Sequence, residues 1–139
     1  MLFITYTSGS TGRPKGIVHA HGYLAGVMMT MQCSFEPIPG TDIIFVLASL
    51  EWITGQSYMV AGSLSSRVTS LITRSNPVSP YVAHFAAMID QYGASILKGG
   101  VSYLKLLMSK ELGATELRKF DKSTLKVASF CAEPCSPAV

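Results

Sequence analysis

The stretch Tyr6-Thr-Ser-Gly-Ser-Thr-Gly-Arg-Pro-Lys-Gly16 concentrates more usable chemistry than any other part of the chain. Gly9, Gly12 and Gly16 let backbone approach a ligand closely and reach φ values closed to other residues. The hydroxyls of Thr7, Ser8, Ser10 and Thr11, with the backbone N–H groups between them, form a dense donor surface for phosphate oxygens. Lys15 adds a cation on a flexible stem, and Pro14 stiffens the chain before it. A polar Gly/Ser turn between two strands is the competing reading. Eleven ordered positions closing on Pro-Lys-Gly favour phosphate handling instead. The loop is not a Walker A motif: the fifth residue after Gly9 is Pro14, and Lys15 is followed by Gly16 rather than Ser or Thr. A P-loop kinase or GTPase is therefore disfavoured.

Other clusters carry less. His19 and His21 share one side of an extended piece but have no carboxylate or thiolate neighbours, which makes a structural role the better reading. His84 is expected on a helix surface. Cys33, Cys131 and Cys135 form an odd set without a second CxxC-type pair, so neither a disulfide framework nor a zinc site is expected. The net charge is +3 over 139 residues, with 48% apolar residues. That composition is globular, and no basic stripe interleaved with aromatics points to nucleic acid. Arg118, Lys119 and Lys122 read as a solvated face ahead of a strand. The opening MLFITYT has no basic n-region, so no signal peptide is read there. Ile43–Leu64 is broken by Glu51, Gln56 and turn residues and does not read as a membrane span. The expectation is a soluble, cytoplasmic protein.

The elements that must position the loop follow from periodicity. Leu2–Tyr6 and Gly16–Ala20 read as short strands flanking it. Leu24, Val27, Met28, Met31 and Phe35 fall at helical spacing, and Pro37, Pro39 and Gly40 end that helix. Asp42–Ala48 is a continuous apolar run, as expected of a strand buried on both faces. A helix over Thr54–Leu64 and a strand over Val68–Thr73 follow. Ser79-Pro80 reads as a capped helix start, with Val82, Phe85, Ala86, Ile89 and Tyr92 on one stripe. Ser95–Leu97 is a strand, Val101, Leu104, Leu107 and Met108 mark a helix, and Leu125–Phe130 is a strand. Strands alternating with helices predict an α/β fold with a largely parallel sheet. Both ends read as cut from something larger.

The loop closely resembles the phosphate-binding motif of the adenylate-forming, AMP-binding superfamily. Ile17-Val-His-Ala-His-Gly-Tyr-Leu24 and Glu51-Trp-Ile-Thr-Gly-Gln-Ser-Tyr58 are similar to segments of its acetyl-CoA synthetase branch. Phe120-Asp-Lys-Ser-Thr-Leu-Lys-Val127, running into Ala132-Glu-Pro134, resembles the strand that ends in Gly-Glu-Pro beside the adenine. The resemblance spans nearly the whole chain and implies that residues 1–139 are part of the layered N-terminal α/β domain of these enzymes. It implies ATP-dependent activation of a short carboxylic acid to an acyl-adenylate and then to its coenzyme A thioester. Thr7, Ser8, Gly9, Ser10, Thr11, Gly12 and Lys15 would cradle the phosphates. Ala132, Glu133 and Pro134 would border the adenine, and Trp52, Ile53, Thr54 and Cys131 would line the acyl pocket. Thr54 would also lie near the pantetheine end of coenzyme A. On residue type alone Trp52 could equally be core, and Cys131 a small buried apolar residue; their positions in the matching segments favour the pocket.

The same resemblance places the Mg2+-binding Tyr-x-x-Thr-Glu motif, the ribose-binding Asp and the catalytic Lys of the C-terminal domain downstream of Val139. No catalytic residue and no metal ligand is therefore expected within 1–139, and the segment alone is expected to be inactive and poorly soluble. Several positions depart from the acetyl branch. Glu51 stands for Gly, Gln56 for His, Ala132 for Gly and Gly22 for Gly-Gly, while Lys98-Gly-Gly-Val-Ser102 replaces a Tyr-Thr-Ala-Pro-Thr type of segment. The polar changes at Glu51 and Gln56 point to a short acid other than acetate, such as propionate, acrylate or a hydroxy acid. Loading of a carrier protein, and a truncated nucleotide-binding module without catalysis, are the alternative functions.

Overall fold

The computed structural model describes residues 1–9, 12–74, 79–108 and 113–134. The chain opens with an antiparallel hairpin of β1 (Phe3–Thr7) and β2 (Lys15–His19), in which Thr7 stands opposite Lys15. Then come α1 (Gly22–Thr30), β3 (Ile43–Leu47), α2 (Ile53–Gly55), α3 (Ser63–Ser66), β4 (Thr69–Leu71), α4 (His84–Tyr92), β5 (Ile96–Gly100), α5 (Val101–Met108), α6 (Gly113–Leu117) and β6 (Val127–Cys131). Wide π-helical turns extend α1 over Met31–Phe35 and join α2 to α3 over Gln56–Gly62. The four strands β4-β3-β5-β6 form one parallel sheet, so the predicted α/β class holds.

Helices cover both faces of that sheet, which is why β3 is apolar at every position. On one face Phe45, Leu47 and Leu97 pack with Phe85, Ala86 and Ile89 of α4 and Leu107 of α5. On the other, Ile44, Val46 and Ile96 meet Val27, Met31, Phe35 and Met59. Each such side chain contributes about 1.5–3 kcal/mol when fully buried. At the amino ends of the strands, buried Asp42 accepts hydrogen bonds from Ile38 N–H (2.7 Å), Ser95 Oγ (2.8 Å) and Lys126 Nζ (2.6 Å). Burial alone would raise the Asp42 pKa, but those three donors outweigh it and hold the carboxyl below its usual value. One carboxylate thus ties the starts of β3, β5 and β6 together. Among the described residues no helix is long and apolar enough to cross a membrane.

Several expectations change. Ser79-Pro80 does not begin a helix: its peptide bond is cis, and α4 starts at His84 after Ala83, without a side-chain cap. His84 is half-buried at that start, edge-on to Tyr81. In α1 and the π-helical turn after it, Val27, Met31 and Phe35 are the buried residues, and Met28 turns to the surface. Tyr92 likewise ends α4 exposed. Lys122 is not part of a solvated face, because its Nζ donates to the Leu117 and Phe120 carbonyls that close α6. The strand predicted over Ser95–Leu97 runs on through Gly100.

Candidate ligand-binding site

In an open parallel sheet, the carboxyl ends of the strands are where loops diverge and leave a crevice. Here that edge carries a cleft of about 370 Å³ lined by Leu47, Ala48, Trp52, Thr54, Gly100, Ser102, Tyr103, Cys131, Ala132 and Glu133, among others. Trp52, Thr54 and Cys131 come together with the segment Ala132-Glu133 although up to 81 positions separate them in sequence. A second cleft of about 500 Å³ lies beside it, lined by Thr5, Tyr6, Thr7, Ser8, Ile17, His19, Glu51, Trp52 and Ile53. Trp52 is common to both, and at 70% exposed it is not core.

The Gly/Ser/Thr loop is presented by the β1–β2 hairpin. Thr7 and Ser8 lie exposed at the end of β1, and Lys15 is exposed at the start of β2. Gly9 has φ 54°, and a Cβ there would come within 2.4 Å of the Arg13 carbonyl oxygen, so the loop's tight return needs glycine. Gly12 also has positive φ but faces open space. Ser10 and Thr11 of the loop, and Cys135, lie outside the described residues. His19 is committed to packing: it stacks on Phe3 at 4.6 Å and meets Tyr23 edge-on at 5.1 Å. Among the described residues no group of three His, Cys, Asp or Glu side chains is placed to hold a metal ion.

Other assignments shift. Ile53 lines the cleft beside the phosphate loop and is not a lining residue of the cleft that holds Thr54 and Cys131. Glu51, expected beside the acyl pocket, instead faces the loop cleft and accepts from Ser49 Oγ at 2.7 Å. Gln56 donates through Nε2 to the Leu50 carbonyl at 2.7 Å, which pins the turn after β3. The two polar changes that pointed to a substrate other than acetate therefore do not line the cleft at the sheet edge. Glu51, Trp52 and Ile53 line the loop cleft while Thr54 lines the sheet-edge cleft, a division that linear spacing does not reveal.

At the rim of the sheet-edge cleft, Glu133 pairs with Lys105 of α5 at 2.6 Å. Ala132 has φ 78°, a left-handed conformation that costs an alanine roughly 1–2 kcal/mol relative to glycine. Cys131 is half-buried, its thiol 3.7 Å from the Gly99 carbonyl oxygen.

The model of the family described as "AMP-binding enzyme" matches residues 1–139. Over 137 residues the chain is 39% identical to an acetyl-coenzyme A synthetase of Shewanella sp. (strain MR-4) and 36% identical to one of Streptomyces avermitilis. It is 37% identical to acetyl-coenzyme A synthetase 2 of Saccharomyces cerevisiae. Each alignment covers 98% of this chain but only 20–21% of the relative, so the chain spans about a fifth of their length. The fold matches that of an acetoacetyl-CoA synthetase from Streptomyces lividans with a TM-score of 0.80 at 22% identity, covering 94% of this chain and 20% of that one. It also matches an anthranilate CoA ligase in complex with anthranoyl-AMP, with a TM-score of 0.77 at 19% identity, covering 94% and 24%. With the family model matched from end to end, the chain belongs to the AMP-binding enzymes and resembles their acetyl-CoA synthetases.

Proposed function

We propose that the full-length protein carrying this segment activates a short carboxylic acid with ATP, in two steps. The acid's carboxylate oxygen attacks the α-phosphorus and pyrophosphate leaves, giving an acyl-adenylate; the thiol of coenzyme A then displaces AMP. The observation that carries this reading is the pair of adjoining clefts that share Trp52. One is bounded by the hydroxyl-rich loop, the other by Thr54, Cys131 and the Ala132-Glu133 turn.

Each role is the one the family resemblance implies, and the local chemistry is compatible with it. Thr7, Ser8, Gly9, Ser10, Thr11, Gly12 and Lys15 hold the β- and γ-phosphates, and donors aimed at departing pyrophosphate stabilise the charge that builds on it. Ala132, Glu133 and Pro134 border the adenine. Trp52, Thr54 and Cys131 surround the acyl group, with Ile53 on the phosphate side of Trp52. Mg2+ would neutralise phosphate charge when bound, with ligands supplied outside residues 1–139. The relatives named acetyl-coenzyme A synthetase favour coenzyme A as acceptor over a carrier protein.

The test is exchange of labelled pyrophosphate into ATP. Full-length protein is expected to exchange only when a short carboxylic acid is added. The isolated 139-residue segment, lacking the catalytic Lys and metal ligands expected downstream, is expected to show none. Robust acid-dependent exchange by the segment alone would refute that division of labour, and none from the full-length protein would leave a non-catalytic nucleotide-binding module.

A further inference from the structure

Residues two apart on a strand share a face, so the register of β3, β5 and β6 sorts side chains into rows. Val46, Lys98 and Ser129 form one row on the face that also carries Ile44 and Ile96. One step closer to the carboxyl ends, Gly100 pairs with Cys131, and both line the sheet-edge cleft. Lys98 is not itself a lining residue of the cleft but sits one same-face position below Gly100, which has no side chain to cover it.

Lys98 is 6% exposed. Its Nζ donates to Ser129 Oγ at 3.1 Å and lies 5.3 Å from the centre of the Tyr58 ring. Among the described residues no carboxylate pairs with it, whereas Lys105, Lys119 and Lys126 each have one. A buried ammonium is tolerated when an anion and further hydrogen bonds satisfy it. One neutral hydroxyl and a ring face orient this ammonium without neutralising it. The nearby Glu133 is already engaged by Lys105 at the rim.

Resting on the proposed function, we propose that Lys98 reads the substrate, and that the acid activated in this cleft is a short dicarboxylate. One carboxylate attacks the α-phosphorus; the other stays ionised and pairs with Lys98 Nζ. The positive group below Gly100 would select for that second charge, and a purely apolar acid would leave it unanswered.

Acid-dependent pyrophosphate release by the full-length protein tests this, with chain-matched pairs: succinate against butyrate, and glutarate against pentanoate, with 4-hydroxybutyrate as the neutral polar probe. The expected result is a kcat/KM at least about tenfold higher for the better dicarboxylate than for its matched partner. Lys98→Met is expected to lower the dicarboxylate value about 100-fold, as loss of one partner of a buried charge pair does, while butyrate is held or improved. Wild-type preference for butyrate, pentanoate or 4-hydroxybutyrate overturns the proposal whether or not the variant folds. So does a folded Lys98→Met protein with unchanged selectivity. Release with none of these acids, nor with acetate, overturns the proposed function itself.

Discussion

Gly55→Ala is expected to destabilise the protein by about 3 kcal/mol, roughly a 150-fold loss in the folding equilibrium. A Cβ at Gly55 would stand 2.2 Å from the Ser49 carbonyl oxygen and 2.9 Å from the Leu50 Cα. Both are backbone atoms, so no side-chain rotation relieves the clash. The turn from β3 into α2 would have to open, and that turn carries Trp52 and Thr54 into the sheet-edge cleft. Urea unfolding of the full-length protein reads the stability. Gly26→Ala is the control: in α1 its Cβ would meet nothing within 4 Å, so the change is expected to be neutral or to stabilise by up to about 1 kcal/mol. Equal effects at the two glycines would contradict the packing described for the turn.

Lys15→Met is expected to act on chemistry and leave folding alone. The side chain is exposed, and none of the ion pairs among the described residues involves it. Its position opposite Thr7, beside the tight turn at Gly9, sets a positive charge at the mouth of the loop. If that charge stabilises departing pyrophosphate, its loss should lower acid-dependent pyrophosphate release about 100-fold. The unfolding midpoint should stay within the range of other surface changes, and Lys15→Arg should recover part of the rate. A tenfold or smaller loss, or a parallel drop in stability, would remove Lys15 from the phosphate site.

The parts of this architecture that repeat a simple pattern were readable from the chain. The run from Asp42 to Ala48 can only be a strand covered on both sides, and it is the centre of the sheet. The glycines and hydroxyls of the loop suggest the proposed phosphate binding without any tertiary information. What depends on three-dimensional register was not readable. The strand read as ending at Leu97 continues through Gly99 and Gly100, which pair with Phe130 and Cys131 of β6. Ending the strand early at Leu97 hid Lys98, whose importance lies in being one row beneath Gly100 and Cys131. Glu51 and Gln56 drew attention as polar departures, but one faces the loop cleft and the other holds a backbone carbonyl.

The most direct measurement is a crystal structure of the full-length protein with a non-hydrolysable acyl-adenylate analogue. The prediction is that its adenine lies against Ala132–Pro134 and its acyl chain between Trp52, Thr54 and Cys131, above Lys98, with added pyrophosphate lying against residues 7–15. An analogue bound elsewhere, or with its adenine against the β1–β2 hairpin, would contradict the assignment of the two clefts.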